Sequence, residues 1–480
     1  MNDRKGFGSN FGFLMAAVGS AVGLGNIWGF PNKMGANGGF PFLILYLALA
    51  LCCGVIIMLG ELALGRKTGH GAVGAYQSIS KRFKWLGWLG IAAAALIFSF
   101  YSALGGYCLR YVVVNFGNLI GAEFGTNGVG GADVFQGLLS QPDVSIAFAL
   151  AFMLITMLVV MCGVGGGIER VCSVGMPALF FILIICIIRS CTLPGAADGL
   201  KYMFVPGWAV ANGIIDEAPG FWRVLTAAGG QMFFSLSLGA GVMITYGSYL
   251  DKKQDLGKST MIIVGMDTVV ALMAGLCVIP GRFALDPNGA LGGPELLFIT
   301  MQNVFDKMGP AGPVFGILFY LLVFFAAISS SISMLEVIVA HFCDKAREKG
   351  KGDRRKLYSA IAVVICAALC ALVCADGMGS NHISPAELLG LAGAKLPGWS
   401  TSWLGLFDSV AEGLLMPLGA LLMCLMISWE LKPDALRQEI LLNGENRPWV
   451  YDFFRLCVKY ITPLCMPVSY THLRAHETRR

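Results

Sequence analysis

Gly19-Ser20-Ala21-Val22-Gly23-Leu24-Gly25-Asn26 and Phe233-Phe234-Ser235-Leu236-Ser237-Leu238-Gly239-Ala240-Gly241 interrupt two otherwise continuous apolar segments. Both fall where a membrane-spanning helix should be regular. A break facing lipid would strand backbone N–H and C=O groups in hydrocarbon, so irregular backbone survives at that depth only where it lines a cavity inside the protein. Unwound carbonyls are ready cation ligands, and the half-helix N-termini carry positive dipole ends suited to a carboxylate. Two breaks far apart in sequence point to two repeats meeting at one site. The pattern predicts a site for a small anion together with cations.

Composition places the chain in a membrane. Of 480 residues, 56% are hydrophobic and only 13% charged, too little polar surface for a water-soluble globule of this size. Apolar runs lie at about residues 11–36, 39–65, 86–119, 144–162, 171–191, 223–250, 258–280, 310–342, 357–375, 404–429 and 450–468, which predicts eleven helices, the last one short. The first run resembles a signal peptide only superficially, being long, glycine-broken and without a small-residue cleavage pattern. With the N-terminus in the cytoplasm, about 21 Lys and Arg fall in inner loops and about 5 in outer ones, the distribution membrane insertion favours. The net charge of +5 is therefore a record of topology, and nucleic-acid binding is excluded as its explanation. The outer segments 120–143, 192–222, 282–309 and 376–403 are Gly/Pro-rich, as caps or lids would be. The fifteen cysteines sit mostly inside apolar runs and read as small buried hydrophobes.

Soluble-enzyme motifs fail on context. Gly163-Val164-Gly165-Gly166-Gly167 lacks the Gly-Lys-Ser/Thr of a phosphate loop and reads as a tight loop, and Gly23-Leu24-Gly25 follows no strand. The histidines His70, His341, His382, His472 and His476 are scattered without zinc-site spacing. No nucleophile–base or metal cluster is written at either break, so an enzyme is not expected.

Four local patterns carry a family resemblance: Ala21-Val22-Gly23-Leu24-Gly25-Asn26-Ile27-Trp28 with Phe30-Pro31; Glu61 with Gly65-Arg66; the stretch Gln231 to Gly239; and Ser329-Ser330-Ser331. In these the chain resembles the neurotransmitter:sodium symporter family over about residues 4–465. The resemblance implies an all-α polytopic fold of two inverted five-helix repeats, about 11–191 and 223–429, with discontinuous first and sixth helices. An eleventh helix from about 450 stands outside the repeats, and residues 1–468 form a single transporter domain. It further implies sodium-coupled import of an amino acid or derived amine by alternating access, with two sodium ions and no organic cofactor, in a prokaryotic inner membrane. A non-transporting amino-acid sensor of the same fold is the alternative.

The residue chemistry suits that expectation, since sodium prefers hard oxygen ligands and Asn26, Ser235, Ser329 and Ser330 supply them without a full buried charge. By similarity, one ion site is the Ala21 carbonyl with Asn26, Ser235 and Asp267. The other is the Gly19, Val22 and Ala326 carbonyls with the Ser329 and Ser330 hydroxyls. Taken singly, either serine would bond back to the preceding helical turn; three serines facing a broken helix argue for more. The resemblance places the substrate carboxylate against the Leu24 and Gly25 N–H groups, the first sodium and the Tyr101 hydroxyl. The ammonium group then meets oxygens near Ser237 and Ser330. Ala240 stands where the family generally has a larger apolar residue. Together with Ile97, Phe234 and Met334 it leaves room for a large apolar or aromatic side chain.

The family also uses gates. Arg4, Tyr249 and Asp344 match its inner gate, with Phe7 replacing the usual tryptophan. At the outer gate Gly29 stands in place of an arginine and Ala411 in place of its aspartate partner. Closure is therefore expected from Tyr101 and Phe234 alone, with Gln231 short of its usual partner. Glu412 is the alternative, pairing with Gln231 or with substrate. Where animal members have an asparagine and, one turn on, a chloride-binding hydroxyl, this chain has Asp267 and Ala271, so a fixed carboxylate is expected to replace chloride. After Pro467 the polar, basic run 469–480 reads as a non-native tail on a truncated eleventh helix.

Overall fold

A computed structural model describes residues 6–126, 128–289, 293–352, 354–390, 400–431, 435–441 and 448–463. Arg4 and the run 469–480 lie outside the described residues. The described chain is helical, and its spans follow the apolar runs. Helix α1 is bent by 44° between Asn10–Ala21 and Gly25–Ala36. Then come α2 (Phe40–Thr68), α3 (Lys81–Ile120), α4 (Pro142–Met161) and α5 (Val164–Cys191). The second half holds α6 (Phe221–Ser235 and Val242–Gly247), α7 (Leu256–Leu285), α8 (Gly309–Glu348), α9 (Arg355–Gly379) and α10 (Trp403–Trp429). Helix α11 runs through Pro448–Leu456 and Cys457–Ile461.

Local chemistry sets the ends. Ser9 caps α1 by accepting the Gly12 N–H at 2.9 Å, Asp255 caps α7 through the Lys258 N–H at 3.0 Å, and α2 ends at Gly69 in the left-handed conformation. The glycine run at 163–167 departs from the expected tight loop. Gly163 alone turns, at φ +83°, and Val164–Ile168 already form the first, π-type turn of α5. The helix thus starts seven residues ahead of the apolar run and carries Glu169 and Arg170 before it. The outer segments do carry short helices, including Gly131–Leu139, Ala196–Phe204 and Met301–Asp306.

The long α3 and α8 pack along one another, and the first half of α1 lies against α5, α7 and α8. These continuous helices form the walls between which the two broken ones sit. The break in α6 is tight: Ser237 has φ +52°, Gly239 +80° and Gly241 +75°. A non-glycine residue at positive φ stores about 1–3 kcal/mol that its surroundings must hold in place. A Cβ on Gly239 would lie 2.1 Å from the Met416 carbonyl of α10.

Gly239→Ala should therefore cost well over the roughly 1–3 kcal/mol of the backbone conformation alone, read as loss of the monodisperse size-exclusion peak and a lowered melting temperature. Gly265→Ala, on an open face of α7 with nothing within 4 Å, should leave both unchanged. Equal behaviour of the two variants would contradict this packing.

Candidate functional site

The first break is held by side chains from α1 itself, from the continuous α3 and from α6. The Gly23 N–H donates to Asn26 Oδ1 at 3.0 Å and the Leu24 N–H donates to the Tyr101 hydroxyl of α3 at 2.6 Å. Gln231 Nε2, from α6, donates to the Gly25 carbonyl at 2.6 Å. At the second break the buried carboxylate of Glu61, from α2, accepts the Gly239 N–H at 2.7 Å, placing negative charge beside the N-terminus of the second half of α6.

Asp267 of α7 joins the two breaks. Fully buried, it accepts Asn26 Nδ2 at 2.7 Å, the Ser235 hydroxyl at 2.9 Å and the Tyr46 hydroxyl at 3.3 Å. These partners are neutral, and among the described residues no cationic side chain pairs with it. A buried carboxylate answered only by neutral donors keeps a strong attraction for a cation. Ala21 closes the first half of α1 next to this cluster, buried. Tyr46 is a member that the sequence reading missed; its position, one helix over on α2, leaves no local signal.

The second oxygen cluster lies between α1 and α8. Ser329 Oγ is 3.0 Å from the Ala326 carbonyl, 3.2 Å from that of Phe325 and 3.4 Å from that of Val22. Ser330 Oγ is 3.1 Å from the Ser20 carbonyl, 3.4 Å from Gly19 and 3.5 Å from Val22. The back-bonding of Ser329 to its own helix is real, yet the carbonyls freed at the break converge on the same two hydroxyls. All five expected ligands, Gly19, Val22, Ala326, Ser329 and Ser330, are thus brought together. Ser237 donates to the Ser20 carbonyl at 3.2 Å, tying the second break to the first.

Between the clusters the backbone is closely wrapped. A Cβ on Gly23 would sit 2.3 Å from both the Ser330 and Tyr101 hydroxyls, and one on Gly25 would sit 3.0 Å from the Phe234 ring. Ile97 lies one turn before Tyr101 on α3, Met334 one turn after Ser330 on α8, and Ala240 in the second break; all three are buried. Tyr101 and Phe234 meet as rings 6.4 Å apart.

The outer gate requires a correction. Tyr101 and Phe234 do meet, but a charged pair also links α1 and α10: Lys33, one turn past Gly29, makes an ion pair with Glu412. Gly29 and Ala411 do lack the charges, but Glu412 pairs with Lys33, beside Asp408, rather than with Gln231. Residues Gly25–Gly29 and Ala411–Leu415 each form a π-type turn, and Ala411 and Glu412 are both buried. Position 29 itself does face Gln231, whose Oε1 would lie 3.0 Å from a Cβ there.

On the inner side Phe7 packs edge-on against Phe13, Tyr246 and Tyr249 at 5.4–6.2 Å. Asp344 accepts the Gly71 N–H at 3.0 Å, with Arg347 3.9 Å away. Tyr249 donates to Glu336 at 2.6 Å, and Arg355 grips the same carboxylate with both guanidinium arms at 2.6 and 2.9 Å. Glu336 and Arg355 are nineteen residues apart across a loop, which is why the sequence reading passed over them.

Two broken helices meeting at a buried carboxylate with only neutral partners mark the inverted-repeat, broken-helix class of membrane transporters. A family model described as the sodium:neurotransmitter symporter family matches residues 4–127 and 132–474, and the chain belongs to that family. It is 36% identical to the uncharacterized sodium-dependent transporter YhdH of Bacillus subtilis, covering 97% of this chain and 96% of that one. It is 26% identical to the creatine transporter of Torpedo marmorata over 96% of this chain and 77% of that one. Its structure is similar to the crystal structure of MhsT in complex with L-phenylalanine, with a TM-score of 0.82, 33% identity, and 97% and 99% of the two chains covered.

The side chains of Glu336 and Arg355 are 0% and 15% exposed, so deleting one partner leaves the other buried alone. Glu336→Gln or Arg355→Met should each lower stability by about 3–5 kcal/mol, while the double change to Leu and Met should recover most of the loss. Thermal unfolding of the three variants checks this; additive losses would contradict it.

Proposed function

We propose that the protein imports an amino acid, large and apolar or aromatic, by alternating access coupled to sodium and without chloride. Sodium-coupled symport follows from family membership; the substrate and the ion sites are the reading offered here. The observation that carries it is the Asp267 carboxylate, buried among neutral donors at the junction of the two breaks. One sodium there, bound by Asp267, Asn26, Ser235 and the Ala21 carbonyl, neutralises the carboxylate and presents positive charge to the substrate carboxylate. The Leu24 and Gly25 N–H groups and Tyr101 complete that subsite. A second sodium bound by Gly19, Val22, Ala326, Ser329 and Ser330 pins the first half of α1 to α8.

Coupling then has a simple origin. Substrate brings a charge that the dry site tolerates only with the ion present, so each ligand raises the affinity for the other by the same factor. The second break offers Phe234, Ser237 and Ala240 to the substrate, and Ile97 and Met334 border its side chain. The bound L-phenylalanine of MhsT supports an aromatic or other large apolar substrate. Entry and exit are governed by Lys33–Glu412 with Tyr101 and Phe234 on one side. On the other stand Phe7, Tyr249 and Asp344, where Arg4 is placed by resemblance. The charge distribution among loops supports an N-terminus in the cytoplasm, and the bacterial relative supports an inner membrane as the setting.

Proteoliposomes with an imposed sodium gradient, offered labelled amino acids, test the reading. Uptake of a large apolar amino acid that stops when the gradient is collapsed is expected; sodium-dependent binding without uptake would mark a sensor instead. Ser329→Ala and Asn26→Ala each remove one oxygen from a different ion site and should weaken sodium dependence by about 1–3 kcal/mol. If both variants keep the parental sodium response, the ion sites are elsewhere.

Chloride separates a further part of the proposal. Replacing chloride by gluconate should leave uptake unchanged, and Asp267→Asn should abolish uptake or make it chloride-dependent. Parental uptake that collapses in gluconate would contradict the role given to Asp267.

A further inference from the structure

Between the end of α10 and helix α11 lies a cavity of about 100 Å³, apart from the two breaks and both gates. Its apolar lining includes Ile427, Leu431, Phe454 and Val458, and two cations, Arg455 and Lys459, line it one turn apart on α11. Around it the surface faces hydrocarbon: Phe453 and Leu456 are exposed on α11, with Trp429, Trp449 and Tyr460 exposed as well. Exposed tryptophan and tyrosine mark the level of a membrane–water boundary. Among the described residues neither cation has a hydrogen bond or an ion pair, and Asp452 of the same helix pairs with neither. Lys459 lies over the neighbouring Tyr460 ring, 5.0 Å from its centre.

Two like charges one turn apart on a helix repel each other, and each is costly at the edge of hydrocarbon unless an anion answers it. The Tyr460 ring holds Lys459 without cancelling its charge. An apolar trough with cations at its rim complements a molecule that is anionic at one end and hydrocarbon along the rest. Basic pockets between membrane helices near the cytoplasmic surface suit anionic lipid headgroups for this reason. We propose that this cavity is a binding site for an anionic phospholipid. Arg455 takes two phosphate oxygens with its planar fork, and Lys459 reaches the same phosphate as a point charge. The start of an acyl chain lies along Phe454 and Val458, and the rest of the lipid stays in the bilayer. Bound there, the lipid fastens α11 to α10, the helix that carries Glu412 of the outer gate. The cytoplasmic placement rests on the function proposed above, whereas the site itself is set by α10 and α11 in either orientation.

The test uses the full chain in nanodiscs of phosphatidylcholine, with or without phosphatidylglycerol as the anionic probe. Native mass spectrometry counts the lipids that stay bound when the discs are removed, and thermal unfolding is followed in both kinds of disc. Phosphatidylglycerol should be retained at least fivefold above its share of the disc, and the melting temperature should rise in its presence. Arg455→Gln combined with Lys459→Gln should remove both effects. Val458→Trp, which fills the cavity without changing charge, should weaken retention several-fold. Lys81→Gln combined with Arg82→Gln, an exposed basic pair at the start of α3, should leave retention at the parental level. Parental size-exclusion profiles in phosphatidylcholine establish that the variants are folded. Retention that follows disc composition, or that the Lys81 and Arg82 changes lower as much as the Arg455 and Lys459 changes, overturns the proposal. So does displacement of the lipid by soluble glycerol 3-phosphate, which would mark a phosphate site without a lipid. None of these readouts requires transport, so proteoliposomes that fail to take up amino acids would contradict the central site and leave this one standing.

Discussion

Peptide groups released from a helix inside a bilayer must find partners within the protein, and the architecture around the two breaks follows from that demand. Asn26 and Tyr101 take the Gly23 and Leu24 N–H groups, Gln231 reaches the Gly25 carbonyl, and Glu61 receives Gly239. Ser329, Ser330 and Ser237 turn toward the carbonyls of residues 19–22. Several of these side chains belong to continuous helices, so α2, α3, α7 and α8 act as a frame that keeps the breaks open. The same groups that satisfy the empty backbone are the ones a bound ion or carboxylate would engage. A site of this kind is held in shape by competition between internal partners and ligands, which lets binding and rearrangement of the broken halves be linked.

Asp267 gives the linkage its sign. A carboxylate enclosed by Asn26, Ser235 and Tyr46 has its geometry fixed by hydrogen bonds and its charge left open. In the proposed cycle this built-in carboxylate supplies the negative charge that chloride would otherwise bring. The gates use charge differently. Lys33–Glu412 and Glu336–Arg355 are paired in this structure, and a pair that must separate in the proposed cycle favours the conformation seen here.

Much of this was legible in the chain. The breaks were readable because glycine runs inside apolar segments have few other uses, and the serines of 329–331 stood out against an otherwise apolar helix. Asn26, Ser235 and Asp267 fell together with the unanticipated Tyr46, and the Gly19, Val22 and Ala326 carbonyls fell together with Ser329 and Ser330. The outer gate was misread because the charged pair is Lys33–Glu412, one turn past Gly29 and one residue past Ala411, so matching single positions to the family pattern passes it over. Likewise Val164–Ile168 continued as helix where five glycine-rich residues suggested a loop. Glu336 and Arg355 escaped notice because each, taken singly, resembles an ordinary charge near a membrane boundary. Only packing of α8 against α9 reveals that they are partners.

The central claim is that sodium binds at the breaks and draws their freed peptide groups into one arrangement. Amide hydrogen exchange across residues 19–26 and 234–241, compared between sodium and choline at equal ionic strength, examines it most directly. Slower exchange in both breaks in sodium, with potassium behaving like choline, is the predicted result. Identical exchange in sodium and choline at both breaks would contradict the account.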